Sequence, residues 1–272
     1  MSEPQVVLVT GASSGVGKAA TQLLAAHGFR VFGTSRNPSA NGNPPGVTML
    51  PLDVRADGSV AACVSAVSDQ ARRLDVLVNN AGFEQAGALE EISLDEARAQ
   101  FETNFFGVLR MVNAVLPIMR RQRSGRIINV SSLSGIAPIP FMGIYSASKF
   151  AVDGYTEVLR HEVKPLGIHV SQVEPGFLKT PMMDHRQTAA RRIADYDPWR
   201  QRAYDAFRVQ EEKGPGPEVV AETILKIATS NRPRLRYTVG QQAKVITRLR
   251  QFLPEAAFEQ GTRSTFKLDQ KV

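Results

Sequence analysis

Cysteine is nearly absent from this 272-residue chain, Cys63 being the only one. No disulfide forms within the chain and no cysteine metal cluster is available; a lone thiol at an apolar helical position reads as buried filler. The four histidines show no paired ligand spacing, and His161-Glu162 is not part of H-E-x-x-H because residue 165 is Pro165, so no metal site is expected. No apolar run approaches the ~18 residues of a membrane-spanning helix, and the first residues lack a basic-then-apolar leader. These absences set the expectation of a soluble, cytoplasmic protein with no membrane span.

The composition that remains is that of a globular protein, 43% hydrophobic and 22% charged. The net charge of +7 is scattered, with local clusters at Arg120, Arg121, Arg123 and Arg126 and again over residues 232–250. It reads as a solvated basic surface. Without a helix-turn-helix or zinc-ligand pattern, nucleic acid is not an expected partner, while attraction to a polyanionic cofactor is compatible with the charge.

Strand-like and helix-like segments alternate. Strands are expected at 6–9, 30–33, 47–50, 75–79, 126–130 and 168–173, and helices at 16–27, 57–72 (with Asp57 as cap), 93–121 and 143–164. Ser93 and Glu96 form a capping-box signature at the start of the long third helix, which has room for a break. This alternation predicts a parallel sheet covered on both faces, doubly wound. Beyond residue 180 the pattern changes. Residues 181–212 read as polar and helical, 218–229 as another helix, RLRYTVG as a seventh strand, and 241 onward as a basic helical tail. No linker divides the chain, so one domain over 1–272 is expected.

The stretch VVLVTGASSGVGKAATQLLAAHGF places a glycine turn between the first strand and the first helix. A P-loop is excluded on two counts. Ala12 stands where its first glycine should be, and Ala19 where Ser or Thr would hold magnesium. Two readings remain open: a ligand-free packing turn, or a dinucleotide site in which Gly11, Gly15 and Gly17 let backbone N–H groups and a helix N-terminus meet a pyrophosphate.

TGASSGVG, NNAG at residues 79–82 and YSASK at residues 145–149, in that order, resemble the classical short-chain dehydrogenase/reductase family, and LPLDV, TNFFG, NVSS and EPGFLKT extend the match over roughly residues 5–240. The tail, with RYTVG and RLRQFLPE, resembles the hydroxysteroid-dehydrogenase-like subgroup. The resemblance implies a single-domain α/β Rossmann fold with a seven-stranded parallel sheet in the order 3-2-1-4-5-6-7. Cofactor binding and catalysis would occupy residues 5–180, a substrate cap 181–212 and a helical extension 241–272.

It also implies site residues. Asn104, Ser132, Tyr145 and Lys149 would be catalytic. Ser132 is favoured over Ser131 and Ser134 by the family spacing, and Asn104 would support a water linked to the lysine. Four residues apart on a helix, Tyr145 and Lys149 share a face, and a nearby ammonium is expected to lower the phenol's pKa from its ordinary value near 10. Gly11, Ser13, Ser14, Gly15, Val16 and Gly17 would cradle the dinucleotide. Asp53, Val54, Asn80, Ala81 and Gly82 would flank its adenosine, and Pro175, Gly176, Phe177 and Thr180 its nicotinamide, with Tyr145 and Lys149 also touching it.

No acidic residue lies between Arg30 and Pro38. Ser35 takes the place of the acid that would bond a ribose 2′-OH, and Arg36, next to it, suits a 2′-phosphate. NADP(H) is therefore expected, with NAD(H) still possible. Phe141, Met142, Phe177, Met182, Met183 and Trp199 would make an apolar pocket for a lipophilic ketone, aldehyde or alcohol. A homodimer or homotetramer is the family expectation. A catalytically inactive dinucleotide sensor is the alternative, although it would not need Ser132, Tyr145 and Lys149 together.

Overall fold

Four consecutive apolar residues need cover on both faces, and VVLV obtains it as strand β1 (Val6–Val9), buried at every residue. The computed structural model describes residues 3–38 and 43–269. After β1 come α1 (Gly15–Ala26), β2 (Arg30–Ser35), β3 (Val47–Pro51), α2 (Asp57–Ala71) and β4 (Val76–Asn79). A short β5 (Gln85–Ala86) precedes α3 (Leu94–Phe101), a π-helical turn (Glu102–Phe106) and α4 (Gly107–Gln122). Then follow β6 (Gly125–Val130), α5 (Gly143–Val163), β7 (Ile168–Pro175) and a short β8 (Gln187–Thr188). The chain closes with α6 (Asp197–Glu212), α7 (Glu218–Thr229), β9 (Arg236–Val239), α8 (Gln241–Phe252) and α9 (Glu255–Thr265).

The main sheet has seven parallel strands in the order β3-β2-β1-β4-β6-β7-β9. Counted along this sheet alone, that is the expected 3-2-1-4-5-6-7. The additional β5 and β8, only two residues each, pair in parallel with one another outside it. One face of the sheet packs on α2, α4 and α5 through Val64, Met111, Val115 and Val152. The other packs on α1 and α7 through Ala20, Leu24, Val220 and Ile224. The strand order reverses between β1 and β4, and the crevice at their carboxyl ends is where such sheets bind ligands.

Local expectations were met unevenly. Ser93 and Glu96 do form a reciprocal capping box. The long helix breaks at the π turn, which carries the buried Asn104. Asp57 is not a cap: Ala56 holds that position, and the Asp57 carboxylate accepts instead from Arg110 Nε at 2.6 Å. Residues 181–212 are not one helical stretch. Short 3₁₀ turns at Pro181–His185 and Ala194–Tyr196 flank β8, and only α6 is a true helix. The stretch NPSANGNPPG at 37–46, rich in Asn, Pro and Gly, reads as a loop, and its residues 39–42 lie outside the described part. Among the described residues no helix is long and apolar enough to cross a membrane.

The 181–212 segment departs from helix because its backbone finds partners elsewhere. Gln187 N donates to the Glu84 carbonyl (2.9 Å) and Ala189 N to the Ala86 carbonyl (2.8 Å). Ala190 N donates to Glu96 (2.9 Å), and Ile193 N to Glu91 (2.8 Å). Arg200 of α6 closes the attachment on Glu91, which is only 2% exposed, and also pairs with Asp197. Removing one partner of a buried ion pair costs about 3–5 kcal/mol, because the other charge is stranded. Arg200→Ala is therefore expected to lower unfolding stability by about that much, and adding Glu91→Gln should restore part of it. Urea titration followed by fluorescence of Trp199, the single tryptophan and Arg200's neighbour, reads both changes.

Candidate active site

At the carboxyl ends of the central strands lies a cavity of about 790 Å³. The glycine turn forms its floor. Gly11 and Gly15 have φ of +67° and +50°, and a Cβ on Gly11 would come within 2.9 Å of the Ala81 backbone. A Cβ on Gly17 would meet the Gly11 carbonyl oxygen at 2.2 Å, so position 17 must lack a side chain for the turn to close. The turn is clamped from the neighbouring strand. Asn80 Nδ2 donates to the carbonyls of Thr10 and Gly11, both at 3.0 Å. The Thr10 hydroxyl accepts from the N–H groups of Asn80 and Ala81 at 2.9 and 3.0 Å. Asn80 thus holds the turn's shape from beneath, a task its sequence context did not announce. Ser14, the N-cap of α1, makes no side-chain cap bond, and α1 presents its first N–H groups to the cavity floor.

The expected residues converge on this one cavity. Gly11, Ser13, Ser14, Gly15 and Val16 line it together with Asn80, Ala81 and Gly82; so do Ser35, Arg36, Asp53 and Val54 at one end, and Pro175, Gly176, Phe177 and Thr180 at the other. Asn104, Ser132, Tyr145 and Lys149 line it as well. Gly17 lies behind the turn, outside the lining. Of the apolar pocket residues, Met182 lines the cavity but Phe141, Met142 and Trp199 do not. Met142 is buried in the core with Ile139 and Phe207, and Phe141 packs edge-on against Tyr196 and Tyr204. The side chain of Met183 lies outside the described residues. The apolar wall is instead made by Phe83, Ile139, Leu178 and Phe207 beside Phe177 and Met182.

Within the cavity, Ser132 caps the 3₁₀ turn that follows β6, its hydroxyl accepting from Ser134 N at 3.1 Å and acting on the Tyr145 phenol to lower its pKa. Lys149 Nζ donates to the Val130 carbonyl at 2.9 Å and lies 5.7 Å from the Tyr145 ring centre. Asn104 in the π turn accepts from Phe83 N (3.1 Å) and donates to Phe83 O (3.0 Å) and Ser148 Oγ (3.4 Å). A π turn inside a helix is frequent at functional sites. Ser131, the neighbour of Ser132, is engaged elsewhere, donating to Asp153.

The electrostatics differ from expectation. The Tyr145 phenol is raised, not lowered. Burial drives its phenol well above the ordinary range, Glu84 and Glu211 push the same way, and Ser132 and Arg186 oppose them. Burial also pulls the Lys149 ammonium down to about 8, against the opposing pull of Asp153 and Glu84. Glu84 and Glu211 belong to a charged array that no sequence motif signals. Arg186 donates through Nε to Glu84 and through Nη2 to Glu211, each at 2.9 Å, and its guanidinium stacks 4.4 Å from the Phe207 ring centre. At the far end, Arg55 forks onto Asp53, with Nη2 at 2.6 Å, and holds that carboxyl down to about 2 with Arg36 contributing.

A family model described as short chain dehydrogenase matches residues 5–191. The chain belongs to this family. It is an NAD(P)-dependent oxidoreductase, in keeping with its relatives. Over 264 residues it is 41% identical to the 3-ketodihydrosphingosine reductase of Bacteroides thetaiotaomicron, covering 96% of this chain and 97% of that one. Over 255 residues it is 38% identical to the retinol dehydrogenase 8 of Bos taurus, covering 86% of this chain and 80% of that one. Among solved structures, a short chain dehydrogenase/reductase of Burkholderia phymatum in complex with NAD superposes with a TM-score of 0.80 at 26% identity, covering 92% and 95% of the two chains.

The residues present in this short-chain dehydrogenase fit a nicotinamide dinucleotide. Gly11 and Gly17 have no room for a side chain against the turn's own neighbours, which keeps its backbone bare at the cavity, and at the end of β2 Ser35 Oγ is buried without a hydrogen-bond partner among the described residues. Lys149 supplies a test that needs no cofactor. Its folded-state value lies below the usual 10.5 at about 8, so between those pH values the unfolded chain binds the extra proton and stability rises with pH. The wild-type protein is expected to gain stability relative to Lys149→Met as pH rises from about 8 to 10.5. Urea midpoints of both proteins across that window check it, and a constant difference would mean the ammonium is effectively solvated.

Proposed function

We propose that this chain is an NADP(H)-preferring oxidoreductase that interconverts a carbonyl and an alcohol on a lipophilic small molecule. The observation that carries this reading is the convergence of Ser132, Tyr145 and Lys149 on one cavity floored by the glycine turn, with Lys149 Nζ 5.7 Å from the Tyr145 ring centre. The nicotinamide, when bound, supplies or takes up the hydride. Ser132 orients the substrate oxygen. Tyr145 delivers the proton to it, and a phenol kept protonated by burial is ready as the acid of the reductive direction. Lys149, anchored on Val130, holds positive charge beside the phenol, and Asn104 fixes the π turn against Phe83.

Support for NADP(H) comes from the adenosine end. No acid occupies the close of β2, Ser35 and Arg36 do, and the Asp53 carboxylate nearby is already paired with Arg55. Gly11–Gly17, Asp53, Val54, Asn80–Gly82 and Pro175–Thr180 would hold the rest of the cofactor. The apolar wall of Phe83, Ile139, Leu178 and Phe207, with residues 181–212 as cap, suits a lipophilic substrate, in keeping with the retinol and ketodihydrosphingosine named for the relatives. Exposed Phe106, Phe150 and Val158 on and beside α4 and α5 favour a homodimer or homotetramer built on those helices. The absence of a spanning helix among the described residues is compatible with a cytoplasmic location.

Two substitutions test the reading. Tyr145→Phe keeps the ring and removes the proton; kcat for carbonyl reduction is expected to fall by about 10²–10⁴-fold, while calorimetric NADPH affinity changes little. Arg36→Asp removes a charge-assisted phosphate partner and introduces repulsion. The ratio of kcat/KM for NADPH over NADH is expected to exceed one in the wild type and to fall by about tenfold or more in the variant. A wild-type ratio at or below one would end the claim of NADP(H) preference.

A further inference from the structure

In the Glu84–Arg186–Glu211 array, Arg186 is divided between two carboxylates, and the bonding of Glu211 is left incomplete. Glu211 lines the cavity from α6 and is 5% exposed. Its Oε1 accepts from Arg186, and its Oε2, shielded from solvent, has no hydrogen-bond partner among the described residues. A buried carboxylate oxygen left unpaired pays its desolvation cost without return, which a side chain serving only to brace Arg186 would not require. Arg186 spends Nε on Glu84, Nη2 on Glu211 and its flat face on Phe207. The array carries two potential negative charges for one positive, and Asp184 adds another nearby. Burial and those neighbouring acids lift Glu211 to about 7, against the pull of Arg186. A hydrogen-bond donor reaching Oε2 would reverse that.

Resting on the oxidoreductase reading above, we propose that Glu211 sets substrate specificity: its free Oε2 receives a hydrogen-bond donor, a hydroxyl or an ammonium, carried on the same small molecule as the reacting carbonyl. The substrates favoured are thus lipophilic ketones with one polar donor, not plain hydrocarbon ketones. The donor enters a site walled by Phe207 on one side and coupled electrostatically to Tyr145 on the other. Binding the donor therefore also fixes which stretch of the lipophilic chain lies over the phenol.

The test compares three matched lipophilic ketones with NADPH: unsubstituted, hydroxyl-bearing and ammonium-bearing, with the substituent placed a few carbons from the carbonyl. The wild type should prefer at least one donor-bearing ketone. In Glu211→Gln, kcat/KM for that ketone relative to the unsubstituted one should fall by about tenfold or more. This ratio does not depend on how much of the variant folds. The donor showing the larger fall identifies the group. An unchanged ratio for both overturns the proposal and leaves Glu211 as a brace for Arg186. If no ketone is reduced, the oxidoreductase reading fails instead. The subsite is then read by calorimetry of the matching alkyl amine and diol on the NADPH-loaded wild type and Glu211→Gln; tighter binding to the wild type supports it, and equal affinity for both overturns it.

Discussion

The arrangement of this protein depends on taking one ammonium out of water. Lys149 is buried beside Tyr145 and makes one hydrogen bond among the described residues, to the Val130 carbonyl at 2.9 Å. Burying a charged group is costly unless it is hydrogen-bonded or paired. The cost is met by the parallel sheet. β6 ends at Val130 where its carbonyl can reach the ammonium, α5 delivers Tyr145 and Lys149 one turn apart, and the turn after β6 brings Ser132 into the same cavity. Each element is fixed by cores on both sheet faces, so the polar groups inherit their precision from apolar packing some distance away.

Much of this was legible before any coordinates. The glycine turn was readable from its residues, while the strand order and the convergence of Asn104, Ser132, Tyr145 and Lys149 on one cavity were expected from the family resemblance that the ordered motifs carry. What escaped was set by distance in sequence or by burial. Glu84 meets Arg186 across 102 residues, and Arg186 meets Glu211 across 25; isolated charges on separate elements leave no periodic trace. The direction of the Tyr145 shift escaped because spacing of four on a helix reports a shared face but not how dry it is. Phe141, Met142 and Trp199 were misplaced for a related reason: an apolar side chain reads the same in sequence whether it faces a cavity or the core. The helical reading of 181–212 failed because its amides bond to Glu84, Ala86, Glu91 and Glu96 in place of their own chain.

Two kinds of electrostatics thus coexist in one cavity. At the end of the cavity beside β2, Arg36, Arg55 and Asp53 are near solvent, where charges are screened and exchange partners readily. At the phenol end, Glu84, Arg186, Glu211 and Lys149 are enclosed, where every charge is felt by its neighbours and each proton matters. A polyanion is suited to the first environment and a small, mostly apolar molecule to the second, and the glycine turn with Asn80 marks the boundary between them.

The cap's attachments have a consequence for recombining this protein with its relatives. Residues 181–200 are moored to acids from a single stretch, Glu84 through Glu96, by Arg186, Ala190, Ile193 and Arg200. These two stretches act as one exchangeable cassette although a hundred residues separate them. A chimaera that transplants the cap alone would seat foreign side chains against stranded carboxylates, whereas moving both pieces together carries the lock with its key.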